Sequence, residues 1–287
     1  MSESGVDFRT TPPSDSALPE LDQLVALVLE ATKETLRIPR SPGQHEIKID
    51  GSLVTDVDLA IQSRLKHSLD ARWPQFGFIG EEMEYEDQVS ESVSSRAGYW
   101  VLDPLDGTTN FSSGFLFYGV SLALVIEGVP VMGVVYDPVR DECFSAAKGK
   151  GARLNGEIMR SPEANSLSSC IANVDYKRLV ADLASQLVRC PPYRSQRNLG
   201  SSVLEWCWLA TGRVQLYLHG GQKLWDFAAG YLILLESGGA ATSLSGLPLD
   251  CSLLRKRSVV AAVNAPLLAK WVAWIDSNSQ ISQSTPY

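Results

Sequence analysis

WVLDPLDGTTN, residues 100–110, is the stretch on which the reading turns: an apolar run empties into two carboxylates, a glycine and two threonines. Trp100, Val101 and Leu102 are β-prone, and a residue before proline is pushed toward extended backbone, so the spacing predicts that Asp103 ends a buried strand. Pro104 then fixes a turn. Asp106-Gly107 is a tight-turn dipeptide whose glycine permits an unusual backbone conformation and close approach of a ligand, with Thr108 beside it. Two carboxylates that converge without compensation repel, and a divalent cation is the simplest neutraliser. Taken alone, the same spacing also suits a hairpin turn carrying two solvated aspartates.

Three further acidic pieces need explaining with it. Phe78-Ile79-Gly80-Glu81-Glu82 is again an apolar run that ends in acids. Val54-Thr55-Asp56-Val57-Asp58 opens a helical pattern of Val57, Ile61, Leu65 and Leu69, with acids in its first turn. Leu224-Trp225-Asp226-Phe227-Ala228-Ala229-Gly230 opens an apolar segment through Leu235, and Asp226 lies near its start, where an acid suits the helix dipole.

VTDVD, GEE, WVLDPLDGTTNF and WDFAAG, in that order, resemble the inositol monophosphatase family of the lithium-sensitive, Mg²⁺-dependent phosphatases. The similarity runs from about residue 21 to about residue 274, and DPLDGTTNF together with WDFAAG is its most specific part. Gly119-Val120-Ser121, Lys148-Gly149-Lys150-Gly151-Ala152 and Glu236-Ser237-Gly238-Gly239 also resemble family landmarks. Haloacid-dehalogenase phosphatases differ: they carry D-x-D-G-T, whereas Asp103 and Asp106 have Pro104 and Leu105 between them, and WDFAAG has no place in that family. A phospho-aspartyl mechanism is therefore set aside.

The resemblance implies an α+β fold, a layered αβαβα sandwich, and hydrolysis of a phosphate monoester by water without a covalent intermediate. It implies two or three Mg²⁺ ions per site, inhibition by lithium, and a homodimer. Glu81, Asp103, the Leu105 carbonyl and Thr108 would hold one ion; Asp103, Asp106 and Asp226 would hold a second. Glu81, with Thr108 backed by Asp58, would orient and deprotonate the attacking water. Backbone N–H groups near Gly107 and Thr108, with a helix starting at Gly200-Ser201-Ser202, would cradle the phosphate. Lys48 resembles part of a loop that folds over the metals, or is a surface lysine.

The substrate reading is more open. Thr109-Asn110-Phe111 resembles the inositol monophosphatase branch, where a glutamate seven residues before the second-site aspartate contacts inositol hydroxyls. His219 holds that position here. Fructose 1,6-bisphosphate, other sugar phosphates, histidinol phosphate and 3′-phosphoadenosine 5′-phosphate stay open, with Asp226 and His219 on the substrate side and Arg197 and Lys223 either at a second phosphate or on the surface. A catalytically silent binding platform is the non-enzyme alternative.

Composition bounds the rest. The chain has 287 residues, 45% of them hydrophobic, with a net charge of −8 and a pI near 5.0, a balance that argues against general nucleic-acid binding. No long apolar span suggests a membrane partner, and residues 1–20 read as a disordered polar arm with no signal pattern. Five cysteines without C-x-x-C spacing suit reduced thiols and a cytoplasmic setting; His45, His67 and His219 lack zinc-ligand spacing. Two halves are expected: residues 21–150, an α+β half carrying most metal ligands, and residues 151–287, an α/β half supplying Asp226 and the substrate pocket. Helices are expected from near Glu20, after Thr55 up to Pro74, near 202–210 and near 227–235. Antiparallel strands are expected in succession from Trp100 to about Cys143, and another strand at 170–174.

Overall fold

The computed structural model describes residues 18–37, 46–47, 53–94 and 97–279. Lys48, Asp50, His45 and most of the expected N-terminal arm lie outside the described residues.

Two helices open the chain, α1 (Leu21–Leu36) and α2 (Asp56–Arg72), with the short hairpin of β1 (Glu46–Ile47) and β2 (Leu53–Val54) between them. In α1 the buried positions Leu24, Leu27, Val28, Ala31 and Thr35 recur at helical spacing, and the buried Thr32 and Thr35 hydroxyls donate back to the Val28 and Ala31 carbonyls. In α2 the expected stripe Val57, Ile61, Leu65 and Leu69 is fully buried. Both helices cover one face of a seven-stranded sheet whose strands lie in chain order: β3 (Gly77–Gly80), β4 (Tyr99–Asp106), β5 (Gly119–Ile126), β6 (Val129–Asp137), β7 (Glu142–Ala147), β8 (Ala152–Leu154) and β9 (Glu157–Met159). Only β3 and β4 pair in parallel; the remaining neighbours are antiparallel. The connections from β3 to β4 and from β4 to β5 carry α3 (Tyr85–Ser94) and α4 (Thr108–Ser113).

Alternation along β4 shows why its sequence is apolar without interruption. Trp100 and Leu102 join the core under α1 and α2, while Tyr99 and Val101 join a second, larger core on the opposite face. A strand covered on both sides has no polar face.

The second half contributes β10 (Ile171–Asp175), α5 (Ala181–Arg189), β11 (Ser195–Arg197), α6 (Ser202–Ala210), β12 (Leu216–Gln222), α7 (Leu224–Ser237), β13 (Ala240–Thr242), β14 (Arg257–Ala262) and α8 (Ala265–Ser279). Its five-stranded sheet has the order β11-β10-β12-β14-β13. Helices α6 and α7 fill the layer between the two sheets, and α5 with α8 covers the far side, which makes an α+β, αβαβα layered sandwich. The small residues of WDFAAG are what allow that middle layer: a Cβ at Gly230 would fall 2.4 Å from Cβ of Trp206, so α7 meets α6 at backbone distance. The end of α7 is tied across to the first sheet by Glu236, whose carboxylate accepts the Gly149 and Gly151 N–H groups at 2.8 Å each.

Candidate active site

The strand expected to end at Asp103 instead continues to Asp106. Pro104 has no N–H to give the ladder, and the pairing with β5 steps from Asp103↔Ser121 to Asp106↔Gly119, one residue more on β4 than on β5. In a regular strand, residues three apart face opposite sides of the sheet; the extra residue turns Asp106 back to the side of Asp103. The expected tight turn is then a helix start. Gly107 takes the left-handed backbone (φ 88°) as N-cap of α4, and its Cβ would lie 3.0 Å from the Phe117 carbonyl oxygen.

Other elements bring their acids to the same place. The Glu81 N–H donates to the Leu102 carbonyl at 3.0 Å, which extends the β3/β4 pairing and sets Glu81 beside the bulge. Thr55 and Asp58 form a capping box at the start of α2, in which the Thr55 N–H donates to Asp58 Oδ2 at 2.9 Å. The other Asp58 oxygen faces Thr108 Oγ1 at 3.2 Å, and that hydroxyl is also 2.9 Å from the Leu105 carbonyl. Asp226 stands in the first turn of α7 and accepts the Lys223 N–H at 2.8 Å.

Hydrogen bonds fix one oxygen of each aspartate in the bulge. Asp103 Oδ1 accepts the Leu105 N–H at 3.1 Å, and Asp106 Oδ2 accepts Ser201 Oγ and the Val203 N–H, each at 2.8 Å. Ser201 is fully buried and anchors Asp106, whereas Gly200 and Ser202 line the cavity. One N–H at the start of α6 therefore serves a carboxylate of the protein itself.

The electrostatics are those of a cation site. Burial, followed by the charges of Glu81, Asp106, Asp226 and Asp58, holds the Asp103 carboxyl well above the usual range. Burial is also the main cause at Asp226, pushed up to about 8 with Asp106 and Glu81 adding to it, and at Asp106, pushed up to about 6. Among the described residues no three of these acids close into a ready-made ligand cluster. The donors are carboxylates, the Leu105 carbonyl and the Thr108 hydroxyl, all hard oxygens, and they fit a hard divalent cation.

Glu81, Asp106 and Asp226 open onto a cavity of about 420 Å³ that is also lined by Thr109, Gly200, Ser202, Glu205, His219 and Lys223. Arg197 is exposed and donates to Ser195 and to the Gln196 carbonyl. The cavity also contains residues that sequence reasoning missed. Glu205 accepts the Leu199 and Gly200 N–H groups at 2.9 and 3.2 Å, and burial pushes its carboxyl up to about 7. A lone acid inside the apolar run SVLEWCWLA was the signal for it. Asp175 ends the apolar strand IANVD, the same pattern that singled out Glu81. Asn110, read only as a family label, ties α4 to the loop before α6 by donating to the Phe117 and Leu199 carbonyls at 2.7 and 2.8 Å.

A family model, described as the inositol monophosphatase family, matches residues 20–276. The chain belongs to the inositol monophosphatase family. Inositol monophosphatase 2 of Solanum lycopersicum is 36% identical over 262 residues, covering 86% of this chain and 96% of its own. An IMPase of Thermotoga maritima has the same fold, with a TM-score of 0.77 at 26% identity over 91% of this chain and 98% of that one. An IMPase/NADP phosphatase complexed with Mg²⁺ and phosphate follows at a TM-score of 0.72 and 25% identity, over 89% of this chain and 91% of that one. As a member of the inositol monophosphatase family, the protein is a phosphoric monoester hydrolase of small phosphate esters, and the family is metal-dependent. No helix among the described residues is long and apolar enough to cross a membrane.

Proposed function

We propose that this enzyme hydrolyses the phosphate monoester of a small metabolite by direct attack of water, and that Glu81, Asp103, Asp106 and Asp226 hold Mg²⁺ for it. The observation that carries the reading is that Glu81, Asp106 and Asp226 line one cavity, while the buried Asp103 beneath it feels the charges of all three and of Asp58, which accepts from Thr108. Glu81, Asp103, the Leu105 carbonyl and Thr108 would hold one ion; Asp103, Asp106 and Asp226 would hold the second. Mg²⁺ bound among them would neutralise the carboxylates and set positive charge against the phosphoryl oxygens.

The chain's own groups do the rest. A hydroxyl has one proton to donate and lone pairs that accept, so Thr108, donating to Asp58, can accept a hydrogen bond from the attacking water. Burial raises the proton affinity of Asp58, which suits it to draw that proton through Thr108. Glu81 lines the cavity just past the end of β3, from where it would orient the same water. Gly200 and Ser202 at the head of α6 line the cavity, and with the N–H groups at Gly107 and Thr108 they would cradle the phosphate.

Phosphate release from myo-inositol 1-phosphate, fructose 1,6-bisphosphate, histidinol phosphate and 3′-phosphoadenosine 5′-phosphate, with MgCl₂ and with EDTA, tests the reading. At least one ester should be hydrolysed only with MgCl₂; release that persists in EDTA would sink it. Two or three ions per site, a homodimer and a cytoplasmic setting belong to the same proposal, and sedimentation decides the dimer.

A further inference from the structure

Helix α6 carries one acid in an otherwise apolar run, and the acid is buried: Glu205 is 5% exposed within SVLEWCWLA. A carboxyl group in such a place needs partners, and Glu205 finds them behind its own helix. Helical side chains lean toward the N-terminus, so a residue one turn into α6 reaches back past the N-cap Ser201. Its Oε1 accepts both the Leu199 and the Gly200 N–H. The Tyr217 hydroxyl, which accepts from Gln222 Nε2, hydrogen-bonds to Glu205 from β12.

The loop before α6 is held from its other side as well. Asn110 Nδ2 of α4 donates to the Leu199 carbonyl, and Gly200 passes Asn110 in the left-handed backbone (φ 81°), where a Cβ would lie 3.1 Å from Nδ2. A Cβ at Gly107 would in turn lie 3.3 Å from the Gly200 carbonyl oxygen. The heads of α4 and α6 therefore meet at main-chain distance, and the loop between them is fixed at the Leu199 N–H, the Leu199 carbonyl and the Gly200 N–H.

The donors of this stretch are divided between the protein and the cavity. The Leu199 and Gly200 N–H groups go to Glu205, and the Val203 N–H goes to Asp106. Ser202, between Gly200 and Val203, lines the cavity, and its N–H has no acceptor among the described residues. Releasing the loop would free the flanking N–H groups to turn and would leave the Ser202 N–H without a fixed direction. Burial pushes the Glu205 carboxyl up to about 7, so below neutral pH it holds the loop without a full negative charge beside an incoming anion.

We propose that Glu205 is a positioning residue of the reaction: by holding loop 199–200 it aims the head of α6 at the phosphoryl group. It then acts on the phosphate common to all substrates and not on the alcohol that leaves. The proposal rests on the phosphatase reading above.

Steady-state rates in MgCl₂ for the fastest ester of the panel above and for phenyl phosphate, with inorganic phosphate as inhibitor, test it. Glu205→Met, which fills similar space without an oxygen acceptor, should raise KM for both esters and the Ki of inorganic phosphate about 10-fold or more, the scale set by leaving buried donors unsatisfied. Glu205→Gln keeps an oxygen for the two N–H groups and should stay within about threefold of wild type. Glu205→Ala lets water reach those N–H groups, which lowers the cost to folding, and should still move all three constants because water does not fix a loop. If Glu205 served the fold alone, the variants would lower kcat through the fraction of active protein and leave KM and Ki unchanged. That outcome overturns the proposal, and so does a Glu205→Met loss confined to one ester, which would put the carboxyl against the alcohol. Failure of the phosphatase reading shows itself earlier, in a wild-type protein that releases phosphate from neither ester.

Discussion

Asp103→Asn is expected to lower Mg²⁺-dependent phosphate release by about three to four orders of magnitude while the protein stays folded. Asp103 is 1% exposed, and its carboxyl feels Glu81, Asp106, Asp226 and Asp58 together, so it stands at the centre of the acidic set. In the proposed ligand sets it is the only side chain shared by both. A cation's electrostatic contribution to a phosphoryl transition state is several kcal/mol, and each 1.36 kcal/mol is a factor of ten in rate. The fold should survive because the amide oxygen can still accept the Leu105 N–H, and because removing a buried negative charge relieves its neighbours. Initial rates measured beside far-UV circular dichroism separate the two effects. A folded variant within tenfold of the wild-type rate would remove Asp103 from the site.

The acids of this site were legible because Glu81 and Asp103 sit where an apolar run stops and Asp58 and Asp226 where a helical pattern begins, positions that bring a carboxylate against the core and need a reason. The pattern alone does not separate metal ligands from structural acids. Asp137-Pro138 ends β6 as Asp103-Pro104 interrupts β4, and Asp137 is also fully buried. Its carboxylate, however, accepts the Val139 and Arg140 N–H groups and the Arg140 guanidinium at 2.8 Å, so the chain supplies its own counter-charge. Among the described residues Asp103 has no such cation beside it, and the charges that bear on it most are those of other acids. That difference lies in what surrounds the two residues in space, and no spacing in the sequence carries it.

The same limit accounts for what was misjudged. A proline removes one ladder hydrogen bond and biases its predecessor toward extended backbone, and both effects were read as the end of a strand. The neighbour β5, which pairs with β4 on both sides of the gap, holds it on as a bulge, a tertiary effect. Helix stripes such as Val57, Ile61, Leu65 and Leu69 were legible because period 3.6 is local. The pairing of Asp175 with His219 was not, because a parallel register joins residues 44 apart through two separate strands.

Asp226→Asn should abolish turnover and yet make the cation-free protein more stable at pH 8. In the absence of a cation, burial and the neighbouring acids raise Asp226 from 3.8 to about 8 and Asp106 from 3.8 to about 6. Below about pH 4 both the folded and the unfolded chain hold these protons, and the groups contribute nothing to the balance. As pH rises, the unfolded chain releases its protons first while the folded chain still binds them, so stability falls. The loss is complete for Asp106 above about pH 6 and for Asp226 above about pH 8. At Asp106 alone it amounts to about 3 kcal/mol, from 1.36 kcal/mol per pH unit. Asn at 226 keeps an oxygen for the Lys223 N–H and removes the titration. Added Mg²⁺ should reverse the trend in the wild-type protein, because a bound cation favours the ionised acids and binds only the folded state. Urea unfolding at pH 5 and pH 8, in EDTA and in MgCl₂, measures all of this. The expected order in EDTA is a wild-type protein weaker at pH 8 than at pH 5, and an Asp226→Asn variant stronger than wild type at pH 8. A wild-type protein that gains stability from pH 5 to pH 8 without metal would mean that these carboxylates are already neutralised by the chain, and the cation reading of the site would fail with it.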